Sequence, residues 1–250
     1  MNVQNVKVCV LVPAYNEEEN IVDLVKRLKK WKEQDYSNRR ILVVNDGSTD
    51  RTKELLEEFD FIEVIDSSPL GRNVGKAKAF ITGVKHLAKN EPDVLVTLDA
   101  DLYDLKTESI DFMVNKLINS NYYMCVGSVV EGNNSLIPEF SGQRAIKFFV
   151  LNPILVNNKK WLSLLYGYGL ERALNYLIPK KRQLFLSKIL FKARAPLVKD
   201  ERRQLEEITR VSDVIDFRKF VVEKLKSVPK RLRRFSLTSL KNRFNRNRMR

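Results

Sequence analysis

Asp99 and Asp101 close an apolar run, Val94-Leu95-Val96-Thr97-Leu98-Asp99-Ala100-Asp101. Two carboxylates two residues apart on an extended chain point to one side and repel each other. A divalent cation is the usual reason to tolerate such a pair, and Mg²⁺ or Mn²⁺ prefers hard oxygen ligands. Such ions keep some of their water and share substrate phosphates. The pair therefore suggests a site for a metal-bound diphosphate. The same pattern also serves loops and helix caps, so it needs support from the surrounding elements.

Those elements alternate. Lys7–Val12 is a continuous apolar run of the kind buried on both faces of a sheet. Pro13–Asn16 breaks it, and Glu17–Trp31 has helical spacing with Ile21, Leu24, Val25 and Leu28 on one face. Ile41–Val44 predicts a second strand, Asp46–Asp50 a turn, and Thr52–Phe59 a helix. Phe61–Ile65 is a third strand, Gly75–Leu87 a helix and Asp93–Leu98 a fourth strand. Ile110–Ile118 is helical and Tyr122–Val126 is a fifth strand. This order predicts an α/β fold with a mostly parallel sheet. Ligands of such sheets bind beyond the carboxyl ends of the strands, where Asn16, Asp46, Asp99 and Asp101 all fall.

After residue 130 the pattern weakens. Glu131–Phe140 reads as a loop, Gln143–Leu155 as helical up to Pro153, and Leu170–Leu177 as a short helix. Leu184–Phe191 fits a strand or a helix equally. The expected organisation is a catalytic domain over 1–215, with halves meeting near residue 130, and a basic amphipathic tail over 216–250.

Composition narrows the class. The chain has 250 residues, 44% of them apolar and 30% charged, which is globular usage. No apolar stretch approaches the roughly 20 residues that span a bilayer. The first residues lack the pattern of a secretory leader, and Cys9 and Cys125 sit in strand-like runs as small hydrophobes, so a reducing, cytoplasmic setting is expected. From Lys224 to Arg250 there are eleven basic residues and no acid, leaving only +3 of the net +14 for everything before them. Basic residues interleaved with Leu232, Phe235, Leu237, Leu240 and Phe244 suit an anionic membrane surface. Packing on the domain comes second. Nucleic acid ranks last, because no motif accompanies the charge.

Four segments in order carry a family resemblance. They are Val12-Pro13-Ala14-Tyr15-Asn16-Glu17-Glu18, Val44-Asn45-Asp46-Gly47-Ser48-Thr49-Asp50, Gly71-Arg72-Asn73-Val74-Gly75-Lys76-Ala77 and Leu98-Asp99-Ala100-Asp101. Together they resemble the family 2 glycosyltransferases, whose fold is the nucleotide-diphosphosugar transferase (GT-A) type. The resemblance implies that Pro13, Ala14, Tyr15 and Glu17 line the nucleotide-sugar pocket and that Asp46 accepts a hydrogen bond from the base. It also implies that Arg72 and Lys76 offset diphosphate charge, and that Asp99 and Ala100 border the donor. Asp101 would hold Mg²⁺ or Mn²⁺, with Asp99 as a second ligand or a ribose contact.

Phe140-Ser141-Gly142-Gln143-Arg144-Ala145 and Gly167-Tyr168-Gly169-Leu170-Glu171 are similar to later segments of one branch of this family. Gln143 and Arg144 would then meet a phosphate or the acceptor, or anchor a loop. Glu171 would take a proton from the acceptor, with Asp104 as second choice. The implied activity is metal-dependent transfer from a nucleotide-diphosphate sugar to an acceptor, lipid-linked or phosphorylated, at a membrane surface. A polyprenyl-phosphate sugar synthase is the alternative within the family, and a silent nucleotide- or membrane-binding module the alternative of another class. A nucleotidyltransferase would need a glycine-rich basic loop directly after the first strand, which Pro13–Glu17 is not. The single histidine, His86, reads as a surface residue of the helix after Gly75.

Overall fold

β1 (Val8–Ala14) is the axis of the structure. Its residues Val8 to Val12 are at most 4% exposed, as expected for a strand covered on both faces. This computed structural model describes residues 5–35, 37–131, 134–135, 141–156 and 169–193, all within one compact unit, Met1–Asp213. Gly167, Tyr168, most of the 131–140 loop and the 216–250 tail lie outside the described residues.

Parallel partners flank β1: β2 (Arg39–Asn45) on one side and β4 (Val94–Thr97) on the other, with β3 (Glu63–Asp66) outside β2. α1 (Ile21–Glu33) covers one face with Ile21, Leu24, Val25, Leu28 and Trp31, all fully buried against Val10, Val12 and Val43. Each such side chain contributes about 1.5–3 kcal/mol on burial. α3 (Lys76–Leu87) covers the other face, where Gly83 lies so close to Leu11 and Val44 that a Cβ would collide with Leu11. α2 (Thr52–Glu57) is a short helix after β2 that packs beside α1.

Beyond β4 the sheet turns mixed. Among the described residues it runs β3-β2-β1-β4, then β8 (Arg144–Lys147), β6 (Met124–Glu131), β9 (Gln183–Ala193) and β5 (Leu102–Tyr103). β8 pairs antiparallel with β4 and with β6, while β9 runs parallel to β6. The two-residue β5 pairs antiparallel with the end of β9, and β7 (Asn134–Ser135) pairs with β6. α4 (Glu108–Ile118) lies on the α1 face through Ile110, Met113, Val114 and Leu117.

The expected helix over 143–155 is corrected. Residues 144–147 form a strand, 148–151 a 3-10 turn, and only α5 (Asn152–Val156) is helical. Arg144-Ala145-Ile146 had to complete the sheet between β4 and β6, and that tertiary demand outweighs local propensity. The undecided segment 184–191 belongs to strand β9. α6 (Gly169–Leu177) is the expected helix around Glu171.

Candidate active site

The loops after β1 and β2 form one body. The Asn16 amide donates to Ser48 Oγ at 3.1 Å, and the Thr49 amide returns a bond to Asn16 Oδ1 at 2.8 Å. The Glu17 amide donates to Thr52 Oγ1 at 2.7 Å, and the Glu18 amide to Asp50 Oδ2 at 3.2 Å. Asn16 itself has φ 55, a left-handed conformation that Asn tolerates better than most residues.

Asp46 joins a third loop to this body. It is 2% exposed. Its Oδ1 accepts from Ser67 Oγ at 2.5 Å and from the Val74 amide at 3.1 Å, and its Oδ2 from the Gly75 amide at 2.8 Å. The carboxylate thus holds the 67–75 loop in place. Gly47 makes this possible: its φ is 73, and a Cβ there would overlap the backbone of Arg72 and Asn73. Arg72 and Tyr15 are exposed on the rim, whereas Ala14 and Ala100 are buried.

Strand β4 ends at Thr97, so Asp99 and Asp101 lie in the following turn rather than on extended chain. Beside Asp99 is a cavity whose lining includes Pro13, Lys76, Thr97, Gly142 and Glu171 but not Asp101. Lys76 is its centre. Its Nζ lies 2.6 Å from Asp99 Oδ1 and 2.8 Å from Glu171 Oε1. Gln143 Nε2 donates to Asp99 Oδ2 at 2.9 Å, and Thr97 Oγ1 to the Gly142 carbonyl. Gly142 lies so near that a Cβ would stand 2.5 Å from Asp99 Oδ1.

Burial opposes charge on both members of this pair. For Lys76 the Asp99 and Glu171 carboxylates outweigh burial and raise its pKa. For Asp99 burial is likewise outweighed, by the Lys76 ammonium and the Gln143 amide, and its pKa is lowered.

Glu171, in the first turn of α6, is 2% exposed. Its Oε2 is buried without a hydrogen-bond partner among the described residues. Arg144 is 1% exposed and borders the same cavity. Its Nε donates to the Ser141 carbonyl at 2.7 Å, and its Nη1 to Asn175 Oδ1 at 2.6 Å. The second bond ties β8 to α6. Asp104 does not line the cavity; it pairs with Lys192 and Arg27 on the surface. His86 pairs with Glu63 at 3.1 Å, and Cys9 and Cys125 are buried free thiols.

Several partners were not anticipated from sequence: Ser67, Thr97, Asn175 and Lys192. Ser67 alone offered a signal, since it follows a strand end. Among the described residues no group of three or more His, Cys, Asp or Glu could hold a metal ion. The cation implied by the acidic pair would therefore take at most two carboxylates from these residues and complete its shell with phosphate and water, the usual habit of Mg²⁺. The surroundings fit a cation. Asp99 already carries the Lys76 ammonium. Burial and the charges of Asp101, Asp99 and Asp50 push the Glu17 carboxyl up to about 7, against a hydrogen bond from Asn20 that lowers it.

The comparisons with known proteins agree on the class. The family described as Glycosyl transferase family 2 matches residues 9–179, and the chain belongs to that family. An uncharacterised glycosyltransferase of Bacillus subtilis, YkcC, is 37% identical over 105 residues, 40% of this chain and 31% of that protein. The uncharacterised protein MJ1222 of Methanocaldococcus jannaschii is 33% identical over 130 residues, 52% of this chain and 49% of its own length. The chain thus spans half or less of the curated relatives it matches. Glucosyl-3-phosphoglycerate synthase of Mycobacterium tuberculosis, crystallised with Mn²⁺, UDP-glucose and phosphoglyceric acid, shares the fold at TM-score 0.62 and 16% identity. That alignment covers 86% of this chain and 80% of the synthase. The resemblance and the GT-A fold expected from the four motifs are borne out.

Proposed function

We propose that this chain is a metal-dependent glycosyltransferase that moves a sugar from a nucleotide-diphosphate sugar to an acceptor. The observation that carries this reading is the Lys76 ammonium bridging Asp99 and Glu171, residues 72 positions apart in sequence that belong to the donor and acceptor halves. Pro13, Glu17 and the Asp46-held loop would receive the nucleotide. Asp101, with or without Asp99, would hold Mg²⁺ or Mn²⁺, which supplies positive charge against the diphosphate leaving group.

The chain's own residues divide the remaining work. Lys76 adds fixed positive charge beside the donor. In an inverting reaction the acceptor oxygen attacks C1, the bond from C1 to the diphosphate oxygen breaks, and the acceptor proton passes to Glu171. Its Oε2 has no competing donor among the described residues. Gln143 holds Asp99 in place, and Arg144 holds α6 and with it Glu171.

The basic stretch Lys224–Arg250 supports an acceptor presented at an anionic membrane surface on the cytoplasmic side, lipid-linked or phosphorylated. The same stretch favours a polyprenyl-phosphate acceptor as the second reading. Among the described residues no helix is long and apolar enough to cross a membrane.

One experiment tests the set. UDP- and GDP-sugars are screened for thermal stabilisation with and without Mn²⁺, in wild type and Asp101→Asn, and vesicle co-sedimentation is run in parallel with and without residues 230–250. A donor that binds in a metal-dependent way should raise the melting temperature of wild type, with the gain lost in Asp101→Asn. Metal-independent stabilisation of both proteins would end the metal assignment. Equal sedimentation of the two lengths would end the membrane role.

A further inference from the structure

The turn that carries Asp99 and Asp101 is held at both flanks, and the two holds differ in kind. Upstream it follows β4, and the Leu98 amide donates to the Leu11 carbonyl at 3.1 Å in the centre of the sheet. Downstream it leads into β5, only two residues long, where Leu102 faces Ala193 and Tyr103 faces Lys192. Leu102, Leu105 and Ala193 are buried in the same core cluster as Leu98 and Ala100. Asp104 interrupts the apolar positions of this flank.

Asp104 has φ 49, a left-handed backbone position at the bend directly after β5. Its carboxylate is shared between two elements. Oδ2 lies 3.1 Å from Lys192 Nζ on β9, and Oδ1 lies 3.4 Å from Arg27 Nη1 on α1. Lys192 Nζ also lies 5.8 Å from the centroid of the Tyr103 ring. Asp104 thus sits three residues beyond Asp101, committed to two cations and outside the cavity.

We propose that Asp104 is a positioning residue, which with Arg27 and Lys192 clasps the Asp99–Asp101 turn between α1 and the end of β9. The proposal rests on the donor-site reading above. It removes Asp104 from proton transfer and gives Lys192, which no motif marks, a part in donor binding. The three side chains are each 35–47% exposed, so the clasp is a modest device.

The test uses the full chain, with UDP and GDP as probes in Mn²⁺. Asp104→Asn keeps a residue that accepts left-handed φ and removes the charge; Lys192→Ala removes the partner. Each should weaken Mn²⁺-dependent nucleotide affinity by about two- to five-fold. The double variant should be no worse than the weaker single one, and Lys192→Arg should bind as wild type. The ligand-free melting temperature should stay within about 2 °C of wild type, as expected for surface charges. Amide exchange over residues 98–103 of the ligand-free protein should accelerate in both single variants. Additive losses, or exchange unchanged in that segment, would overturn the clasp. So would a lowered melting temperature with exchange accelerated everywhere, the mark of a purely structural role. If wild type binds neither nucleotide with Mn²⁺ yet exchange accelerates locally, the donor reading fails and the clasp stands.

Discussion

The two halves of the site satisfy their polar groups in opposite ways. On the donor side the partners come from neighbouring loops, and most bonds join a backbone amide to a short side chain: Asn16, Ser48, Asp50 and Thr52 serve amides of adjacent strand-end loops. Around the acceptor side, and from it across to the donor side, the partners are long side chains from distant elements, with Gln143 and Arg144 buried and Lys76 part-buried. Lys76 reaches Glu171, Gln143 reaches Asp99, and Arg144 reaches Asn175, over 95, 44 and 31 residues. The first pattern tolerates the loss of one bond, because many small bonds share the load. The second concentrates charge in few groups, and removing one leaves a buried partner such as Glu171 without its counter-charge.

That contrast predicts where single substitutions act most strongly. Glu171→Gln should lower turnover by about two to four orders of magnitude, the usual range for a proton-transfer group. Donor affinity should change far less than turnover, since the amide still accepts from Lys76. Steady-state kinetics with a direct donor titration separates the two effects. Loss of donor affinity equal to the loss in turnover would move Glu171 into the donor site and dissolve the division of labour.

Arg144→Met should come next. It removes the donors to the Ser141 carbonyl and Asn175 Oδ1 from a position 1% exposed. About 2–4 kcal/mol of stability should be lost through the orphaned acceptors and imperfect refilling. Denaturant unfolding checks this. Unchanged stability with weakened phosphate or acceptor binding would instead return Arg144 to the ligand-contacting role that the family resemblance also allows.

The same contrast explains what could be read from sequence. β1 to β4 and the helices between them follow from apolar runs and 3.6-residue periodicity, and each donor motif lies where one of those strands ends. β8 was not legible. Arg144-Ala145-Ile146-Lys147 carries little strand propensity, and its conformation is decided by β4 and β6 on either side. β5 is too short for any period to register, and it exists because Leu102 and Tyr103 find Ala193 and Lys192 about 90 residues later. Glu171 and Lys76 were each legible as candidates, through their motifs. Their contact was not, because nothing local in either segment encodes a partner 95 residues away.

The smallest effect belongs to the donor half, and it has a sign. Burial, together with the charges of Asp101, Asp99 and Asp50, raises the Glu17 carboxyl from 4.5 to about 7 despite the Asn20 hydrogen bond. The fold therefore prefers Glu17 protonated. That preference stabilises the protein fully below pH 4.5 and is lost as pH rises through about 7, where ionisation adds a negative charge beside the acidic turn. Stability of the ligand-free protein should fall across this window by about 1 kcal/mol from this group, allowing for its partial exposure. Glu17→Gln should remove that fall while leaving the titration of other groups in place. Urea unfolding of both proteins at pH 5 and pH 8 gives the difference directly. Parallel slopes in the two proteins would mean that neither burial nor the acidic turn raises the Glu17 carboxyl, and the donor half would then hold its carboxylates as independently as its short hydrogen bonds.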